Sequence, residues 1–215
     1  MYSYIVLMLK TAGVTFSYTN ESYFNFPDIN LSSNESLLVI GKSGIGKTTL
    51  LHLLAGILSP NSGTIVINDT NIASFSHKKL DAFRGKHIGI IFQNTTAISS
   101  LSVYENLQAR LYFSGISNKK DAIDNILDQL DLVSVKHQKP YTLSTGQLQR
   151  LGIALGVIHN PDIILADEPT SSLDDDNCEL VIALLKTQAK QSNANLVIIT
   201  HDQRVKNSFA NTMVL

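Results

Sequence analysis

The sequence has little cysteine, no excess of either charge and no long hydrophobic run. Cys178 is the single cysteine among 215 residues, so the chain cannot form an internal disulfide. We therefore expect a reducing compartment such as the cytoplasm, and a buried, structural Cys178. Seventeen basic residues against 18 acidic ones leave a net charge of -1. Because this balance provides no strong overall field, we expect no nucleic acid partner.

Membrane-spanning and export signals are also missing. The apolar run from Tyr4 to Leu9 is only six residues long, whereas a spanning helix needs about 20. No basic segment precedes this run, as a signal peptide requires. We expect a soluble chain that is not exported. Met8 would be an equally sensible start, so we also expect residues 1 to 7 to be dispensable.

Short apolar runs alternate with helical stretches along the chain, without repeats or extended linkers. Most of these runs are apolar throughout, which is typical of parallel strands buried on both faces. We therefore predict an α/β fold. The runs lie at residues 36 to 41, 64 to 67, 88 to 92, 162 to 167 and 196 to 200.

The pattern changes between Gln93 and Asn160, where helical periodicity replaces strands. In "KKDAIDNILDQLDLV" the apolar side chains Ile123, Ile126, Leu127 and Leu130 share one helix face. Turn signals such as "SPNSG" before Ile72 predict a small antiparallel layer. We predict a single domain over 1–215: residues 1–92 and 160–215 form the core with its β layer, and residues 93–159 form an inserted helical subdomain.

The segment "GKSGIGKTT" fits a phosphate-binding loop, because it lies between a strand and a helix and matches G-x-x-x-x-G-K-[ST]. Its glycines bring backbone N–H groups close to phosphates, Lys47 would neutralise the β- and γ-phosphates, and Thr48 would ligate Mg²⁺. A glycine-rich turn into a core helix explains the following leucines but not Lys47 and Thr48. The predicted nucleotide-binding residues here are Gly41, Lys42, Ser43, Gly44, Ile45, Gly46, Lys47, Thr48 and Thr49.

Two predicted strands end in residues suited to phosphate chemistry. The run "IILADE" ends in Asp167, which would hold Mg²⁺ through water, and Glu168, which would orient or deprotonate the attacking water. The run "LVIIT" ends next to His201, which could reach the γ-phosphate or its water, although a lone histidine is often structural. Asp175 and Asp176 are predicted only to stabilise the start of the next helix.

The stretch "LSTGQ" combines a helix start with a second candidate anion site. Ser144 and Gln147 have the spacing of a capping box, and that structural role alone is the simpler interpretation. An exposed Gly146 at a helix N-terminus would in addition leave N–H groups and the Ser144 hydroxyl available to a phosphate. The chain already has one phosphate loop for its own nucleotide.

Taken in order, these motifs resemble the ATPase subunit of an ABC transporter over nearly the whole chain. The motifs are "GKSGIGKTT", "IIFQN", "LSTGQ", "IILADE", "SSLD" and His201. The resemblance implies a P-loop NTPase fold with a RecA-like core, a small antiparallel β subdomain and an inserted helical subdomain. Within the superfamily, "FRGKHIGIIFQ", "HLLAG" and "LADEPTSSLD" are most similar to the lipoprotein-releasing and macrolide-exporter type.

The resemblance also implies roles for residues that the other arguments leave open. Tyr18 would stack on adenine, with Phe16 the less suitable choice; by itself Tyr18 reads equally well as a half-exposed strand residue. Gln93 would sense Mg²⁺ and the attacking water and pass their state to the helical subdomain. Ser172 and Asp174 would lie in a loop that communicates across a dimer interface.

The implied function is ATP hydrolysis coupled to transport. Two copies, or one copy and a similar subunit, would close around two ATP molecules with Mg²⁺ and drive a separate integral membrane permease at the cytoplasmic face of the membrane. Two alternatives remain: a soluble ABC-type ATPase, for example in cluster assembly, and a non-catalytic nucleotide-binding module, which would need neither Glu168 nor His201. The sequence identifies no cargo and no direction of transport.

Two residues depart from the pattern of the resembling family. Thr145 takes the first of two positions that are commonly both glycine, and its side chain is expected to weaken contact with a facing nucleotide. Ile45 takes a phosphate-loop position where a small polar residue is frequent. Its effect is expected to be smaller, since the loop binds mainly through its backbone.

Overall fold

The computed structural model describes residues 7–19, 23–116, 120–171 and 173–215. Residues 1 to 6 and Ser172 lie outside this description, so the expectations for the chain start and for Ser172 stay predictions. Within the described part of the chain, no helix is both long enough and apolar enough to cross a bilayer.

The described residues contain ten strands in two sheets, one antiparallel and one parallel. The strands are β1 (Leu7–Ser17), β2 (Tyr23–Asn25), β3 (Asn30–Ser32), β4 (Ser36–Ile40), β5 (Ser62–Ile67), β6 (Thr70–Asn71), β7 (Ile88–Ile91), β8 (Ile163–Asp167), β9 (Asn195–Thr200) and β10 (Asn211–Val214). In the first sheet, β1 pairs antiparallel with β2, β3 and β5, and β6 pairs with β5. This sheet is the antiparallel layer expected from the sequence.

The second sheet has the order β10-β4-β9-β8-β7, and all of its neighbours are parallel. Its strands therefore end at one edge, where Ile40 pairs with Thr200 and Asp167 pairs with Ile199. The prediction of an α/β fold is confirmed. β10 was not predicted from the sequence, because this edge strand is largely exposed and lacks a continuous apolar run.

Helices cover both faces of the parallel sheet, and no strand occurs in the described residues between β7 and β8. α4 buries Ile123, Ile126 and Leu127, as its periodicity predicts. The helices are α1 (Lys47–Leu54), α2 (His77–His87), α3 (Val103–Phe113), α4 (Lys120–Gln129), α5 (Thr145–Val157) and α6 (Asp175–Gln191).

The parallel sheet separates two hydrophobic cores. Along β4, Leu38 faces the core formed with α3 to α6, whereas Leu37 and Val39 face the core shared with α1 and the antiparallel sheet. Both faces of the strand are therefore buried, which explains why the run is apolar throughout. Cys178 is buried in the first core, as expected for a structural residue.

Candidate functional site

The phosphate loop joins β4 to α1 and depends on two glycines with left-handed backbones. Gly44 has φ 81° and Gly46 has φ 106°, a region that other residues rarely adopt. A Cβ added to Gly46 would lie 2.7 Å from the ring of Phe24. The antiparallel sheet therefore packs directly under the loop, and only glycine fits at that contact.

Lys47 begins α1 with its ammonium group turned back into the loop. Its Nζ donates to the carbonyl oxygens of Gly41 at 2.9 Å and Lys42 at 3.2 Å. It also lies 3.5 Å from Glu168 Oε1, and the side chain is only 6% exposed. The loop therefore surrounds a preformed cation. The side chains of Lys42, Ser43, Ile45 and Thr48 are exposed at its rim.

Thr48 and Asp167 meet at the carboxyl edge of the parallel sheet. Thr48 Oγ1 donates to Asp167 Oδ2 at 3.3 Å. Burial raises the pKa of Asp167, and the hydrogen bond from Thr48 partly opposes that rise. A hydroxyl and one carboxylate suit Mg²⁺, which takes few protein ligands and keeps several waters. In the described part of the chain, no three His, Cys, Asp or Glu side chains cluster as a larger metal site.

Glu168 follows β8 and is held by donors from the neighbouring strand β9. Its Oε2 accepts from Thr200 Oγ1 at 2.8 Å, from the His201 ring Nδ1 at 2.9 Å and from the His201 backbone N–H at 3.2 Å. Burial alone would raise the pKa of Glu168, but these hydrogen bonds outweigh it and lower the pKa below its usual value. Glu168 is therefore an ionised carboxylate near neutral pH.

His201 presents one ring nitrogen to Glu168 and leaves the other available. An ionised carboxylate can only accept hydrogen bonds. The 2.9 Å contact between Glu168 Oε2 and His201 Nδ1 therefore assigns a ring proton to Nδ1. In the neutral form of the ring, Nε2 is an acceptor. The imidazole is about half exposed, so Nε2 can meet a ligand at the edge of the sheet.

Gln93 and Tyr18 lie on either side of this centre. Gln93 Nε2 donates to Ser171 Oγ at 3.0 Å, in the loop that follows Glu168. Tyr18 is 57% exposed, whereas Phe16 is buried, so Tyr18 is the aromatic that could stack on a base. The Tyr18 hydroxyl lies 3.2 Å from Thr49 Oγ1, which places the ring beside the phosphate loop.

The predicted capping box at the start of α5 is confirmed. Ser144 Oγ accepts from the backbone N–H of Gln147 at 3.2 Å, and Gln147 Oε1 accepts from the backbone N–H of Ser144 at 3.0 Å. Gly146 is exposed, and a Cβ added there would meet no atom within 4 Å. These residues bond within their own helical turn, whereas Thr48 bonds to Asp167 at the end of β8 and Lys47 forms an ion pair with Glu168 just after it.

Sequence reasoning did not identify Thr200 or Ser171, although both bond to predicted site residues. Thr200 is the last residue of β9 and the one polar residue at the end of the run "LVIIT". A polar residue at that strand end was the available signal. Ser171 carries no such signal, because its contact depends on how two loops approach each other.

The sequence profile of the ABC transporter family matches residues 25–171, which is more than half of the chain. The chain belongs to this family. The ABC transporter ATP-binding protein YtrE of Bacillus subtilis (strain 168) is 41% identical over 182 residues, covering 83% of this chain and 79% of the relative. The lipoprotein-releasing system ATP-binding protein LolD of Bacteroides fragilis (strain YCH46) is 34% identical over 198 residues, covering 91% and 92%.

Solved ABC cassettes share the fold over almost the full length of this chain. A dimeric post-hydrolysis state of the ATP-binding cassette MJ0796, bound to ADP and Pi, has a TM-score of 0.84 at 29% identity and covers 97% of this chain and 94% of that one. CbiO1 of Clostridium perfringens has a TM-score of 0.85 at 28% identity, with 97% and 84% covered. The protein is an ATP-binding ABC ATPase, and the expected resemblance to the lipoprotein-releasing type is confirmed.

Proposed function

We propose that this ABC ATPase binds ATP in its phosphate loop and hydrolyses it with Glu168 as the general base. The observation that carries the proposal is the geometry of Glu168, whose Oε2 accepts three hydrogen bonds while Oε1 faces Lys47 Nζ at 3.5 Å. An ionised, fixed carboxylate beside a phosphate-binding cation can accept a proton from an attacking water. Lys47 then stabilises the charge on the transferred phosphate.

Mg²⁺ fits this site because Thr48 and Asp167 offer hard oxygen ligands 3.3 Å apart. When bound, the ion would neutralise phosphate charge and orient the triphosphate. Asp167 would exchange its bond from Thr48 for the hydrated ion, and Thr48 would turn its hydroxyl oxygen to the same ion. Gln93, bonded to Ser171, would report the state of the ion and the water to the helical subdomain.

The neighbouring groups position the substrate and the proton. His201 Nε2 faces outward from the contact with Glu168, so it can bond the attacking water or a γ-phosphate hydroxyl. Tyr18 would stack on adenine, a contact worth roughly 1 to 3 kcal/mol for base-aromatic pairs in general. The buried Phe16 cannot take that role.

A second copy completes the site in this proposal. Ser144, Gly146 and Gln147 lie exposed or half-exposed at the start of α5, a helix end that attracts anions. Ser144 and Gln147 bond to each other within this turn and not to the phosphate loop of the same chain. In the dimer, these residues would meet the γ-phosphate held by the phosphate loop of the other copy. The dimeric state of the MJ0796 cassettes supports this arrangement.

Coupling to transport is supported by the names of the relatives and by a surface groove. The groove, of about 560 Å³, lies between α2 and α3, and its lining includes the apolar side chains of Ile57, Ile98 and Phe113 beside charged ones such as Arg84. The three apolar side chains are 44%, 46% and 72% exposed. A segment of an integral membrane permease would cover them, which would hold the ATPase at the cytoplasmic face of the membrane.

Replacing Glu168 with Gln tests the catalytic assignment. The amide keeps the size of the side chain but cannot accept the proton, so steady-state ATP hydrolysis should fall about 100-fold or more while ATP binding is kept. The variant should also accumulate as an ATP-bound dimer in size-exclusion chromatography. Hydrolysis at the wild-type rate would refute the role of Glu168.

Purification from membranes tests the link to transport separately. The tagged protein, expressed with the genes next to its own, should elute together with an integral membrane protein. A charged side chain in the groove, as in Ile57→Asp, should release that partner while leaving the ATP affinity unchanged. Recovery of the ATPase without any membrane protein would favour a soluble ABC-type ATPase.

A further inference from the structure

The backbone of Glu168 adopts a conformation that its neighbours must maintain. Its φ is 48°, in the left-handed region, which glycine adopts easily and glutamate does not. Such residues persist only where surrounding contacts fix them. On the N-terminal side, the N–H of Glu168 donates to the carbonyl of Ile199 at 2.9 Å, which ties it to β9.

The C-terminal side of Glu168 is tied to a different element. Gln149 Nε2 donates to the carbonyl oxygen of Pro169 at 2.6 Å. Pro169 is buried and has no N–H, so its carbonyl is its single polar backbone group. The peptide that joins Pro169 to Thr170, one residue beyond Glu168, is therefore held by a side chain of α5.

The same turn of α5 is also fixed to the loop that carries Gln93. Thr95 Oγ1 donates to the carbonyl oxygen of Leu148 at 3.0 Å. A narrow cleft of about 150 Å³ separates α5 from the loops after β7 and β8, and Gln149 lies across it. A displacement of α5 would consequently move both the loop after β7 and the loop after β8.

We propose that Gln149 is a positioning residue that couples the start of α5 to the Glu168 carboxylate. The proposal rests on the proposed function, in which Ser144 and Gly146 contact the nucleotide of a second copy. Gln149 is the fifth residue of α5, about 7.5 Å along the helix axis from the cap. Because a helix moves as a rigid rod, docking of its N-terminus shifts Gln149 and, through the bond to Pro169, the backbone of Glu168.

The consequence for catalysis follows from the orientation of the Glu168 side chain. Its carboxylate meets Thr200 and His201 only while the backbone keeps its left-handed conformation. Without the bond from Gln149 to Pro169, the chain just after Glu168 loses its contact with α5, so the Glu168 backbone can relax toward ordinary φ values and rotate the carboxylate away from β9. Nucleotide binding at the phosphate loop does not involve Pro169 or its carbonyl, so ATP affinity should be kept.

Gln149→Met tests this coupling, because methionine matches the length of glutamine and favours helix but cannot donate. The matched control is Gln108→Met on α3, where the side chain is exposed. Loss of one hydrogen bond should lower kcat about three- to tenfold, with the KM for ATP changed less than about twofold. The control should keep both values, and both variants should unfold cooperatively near the wild-type Tm.

Gln149→Glu is the second variant, and it decides the question if the methionine variant does not fold. It keeps the side-chain shape but removes the donor at neutral pH, and the same fall in kcat is expected. In a Glu168→Gln background, Gln149→Met should have little further effect, because the residue it positions no longer acts as a base. A full additional three- to tenfold loss there would show that Gln149 acts elsewhere.

The outcomes separate this inference from the proposed function. If Glu168→Gln stalls hydrolysis but the Gln149 variants match Gln108→Met, the inference is overturned and the proposed function stands. A rise in KM at constant kcat would also overturn it, since that result assigns Gln149 to ATP binding. If Glu168→Gln hydrolyses ATP normally, the proposed function itself fails.

Discussion

The sequence predicts phosphate contacts at two helix N-termini in the described residues, those of α1 and α5, and the surroundings of these two helix ends differ. At α1, Lys47 and Asp167 are 6% and 8% exposed and lie within reach of Glu168 and Thr48. At α5, Gly146 is exposed, and a Cβ added there would meet no atom within 4 Å. The site at α1 thus combines a helix end with a buried cation and two carboxylates, whereas the site at α5 consists of an exposed helix end.

The way the two helices begin reinforces this contrast. α1 starts from Gly46 without a side-chain cap, so the first N–H groups of the helix remain available to a ligand. In α5, Ser144 and Gln147 satisfy each other's backbone N–H groups. Two donors are thus already used, and the second site is a weak anion binder alone. This difference is what the proposed function requires, in which α5 meets a nucleotide already held by another chain.

Lys47→Ala should have the largest effect, because it removes the cation that distinguishes the phosphate site at α1 from the one at α5. The change deletes the buried ammonium that the carbonyls of Gly41 and Lys42 hold in place. Loss of about two charge-assisted phosphate contacts should raise the Kd for ATP roughly 100-fold. Isothermal titration calorimetry measures this, with Lys190→Ala, an exposed lysine of α6, as the control. Tight ATP binding by Lys47→Ala would contradict the phosphate-loop assignment.

Gly146→Asp should have the next largest effect and tests whether α5 acts on another chain. Space around Gly146 is open, and an aspartate in the first turn suits the helix dipole, so the single chain should be as stable as before. The new charge would face a phosphate of the second copy, and ATPase activity should fall about 30-fold. ATP affinity of the isolated chain should not change.

Ala183→Asp on the exposed face of α6 is the matched control for the added charge. It should leave ATPase activity near the wild-type value. In the Glu168→Gln background, analytical ultracentrifugation with ATP should show dimers for this control and monomers for Gly146→Asp. Normal dimers and normal activity of Gly146→Asp would exclude α5 as a contact between copies.

The fold was predictable wherever burial produces a recognisable hydrophobic pattern in the sequence. β4, β8 and β9 are buried on both faces and therefore appear as continuous apolar runs. β10 was not predictable, because it is an edge strand whose side chains are mostly exposed. Its place beside β4 depends on tertiary pairing, which local composition does not record.

The site was predictable where a single motif shows both the type of side chain and its place next to a strand end or a helix start. Lys47 and Asp167 lie next to a strand end or a helix start, so the order of elements brings them together. Thr200 bonds to Glu168 and Gln149 bonds to the carbonyl of Pro169, but each contact depends on the approach of separate loops and helices. No spacing within either segment indicates such a contact.

Asp167→Asn should stabilise the protein, whereas a change at the cap of α5 should destabilise it. Burial raises the pKa of Asp167, so its ionised form at neutral pH destabilises the folded state, while asparagine still accepts from Thr48. We expect a rise in Tm of about 2 °C at pH 7. Ser144→Ala at the α5 cap should instead lower stability by about 1 kcal/mol.

The pH dependence of this gain has a definite sign. An acid with a raised folded pKa destabilises the protein only where it is ionised, and the effect vanishes below its unfolded pKa of about 4. The difference in Tm between Asp167→Asn and the wild type should therefore shrink as the pH falls toward about 4. Calorimetric scans across that range test it, and a difference that grows on acidification would refute the assigned burial effect.

Thr145→Gly should have the smallest effect, because it changes the second site without adding or removing a charge. Thr145 is exposed at the first position of α5, where its side chain would stand between Gly146 and a facing phosphate. Removing it should strengthen ATP-driven dimerisation of the Glu168→Gln protein about threefold, although glycine in a helix costs up to about 1 kcal/mol of stability. Thr145→Ala separates the two effects, since it removes the hydroxyl and methyl groups without that cost. Dimerisation that is unchanged in both variants, measured by ultracentrifugation over a range of protein concentrations, would mean that the threonine does not oppose the contact.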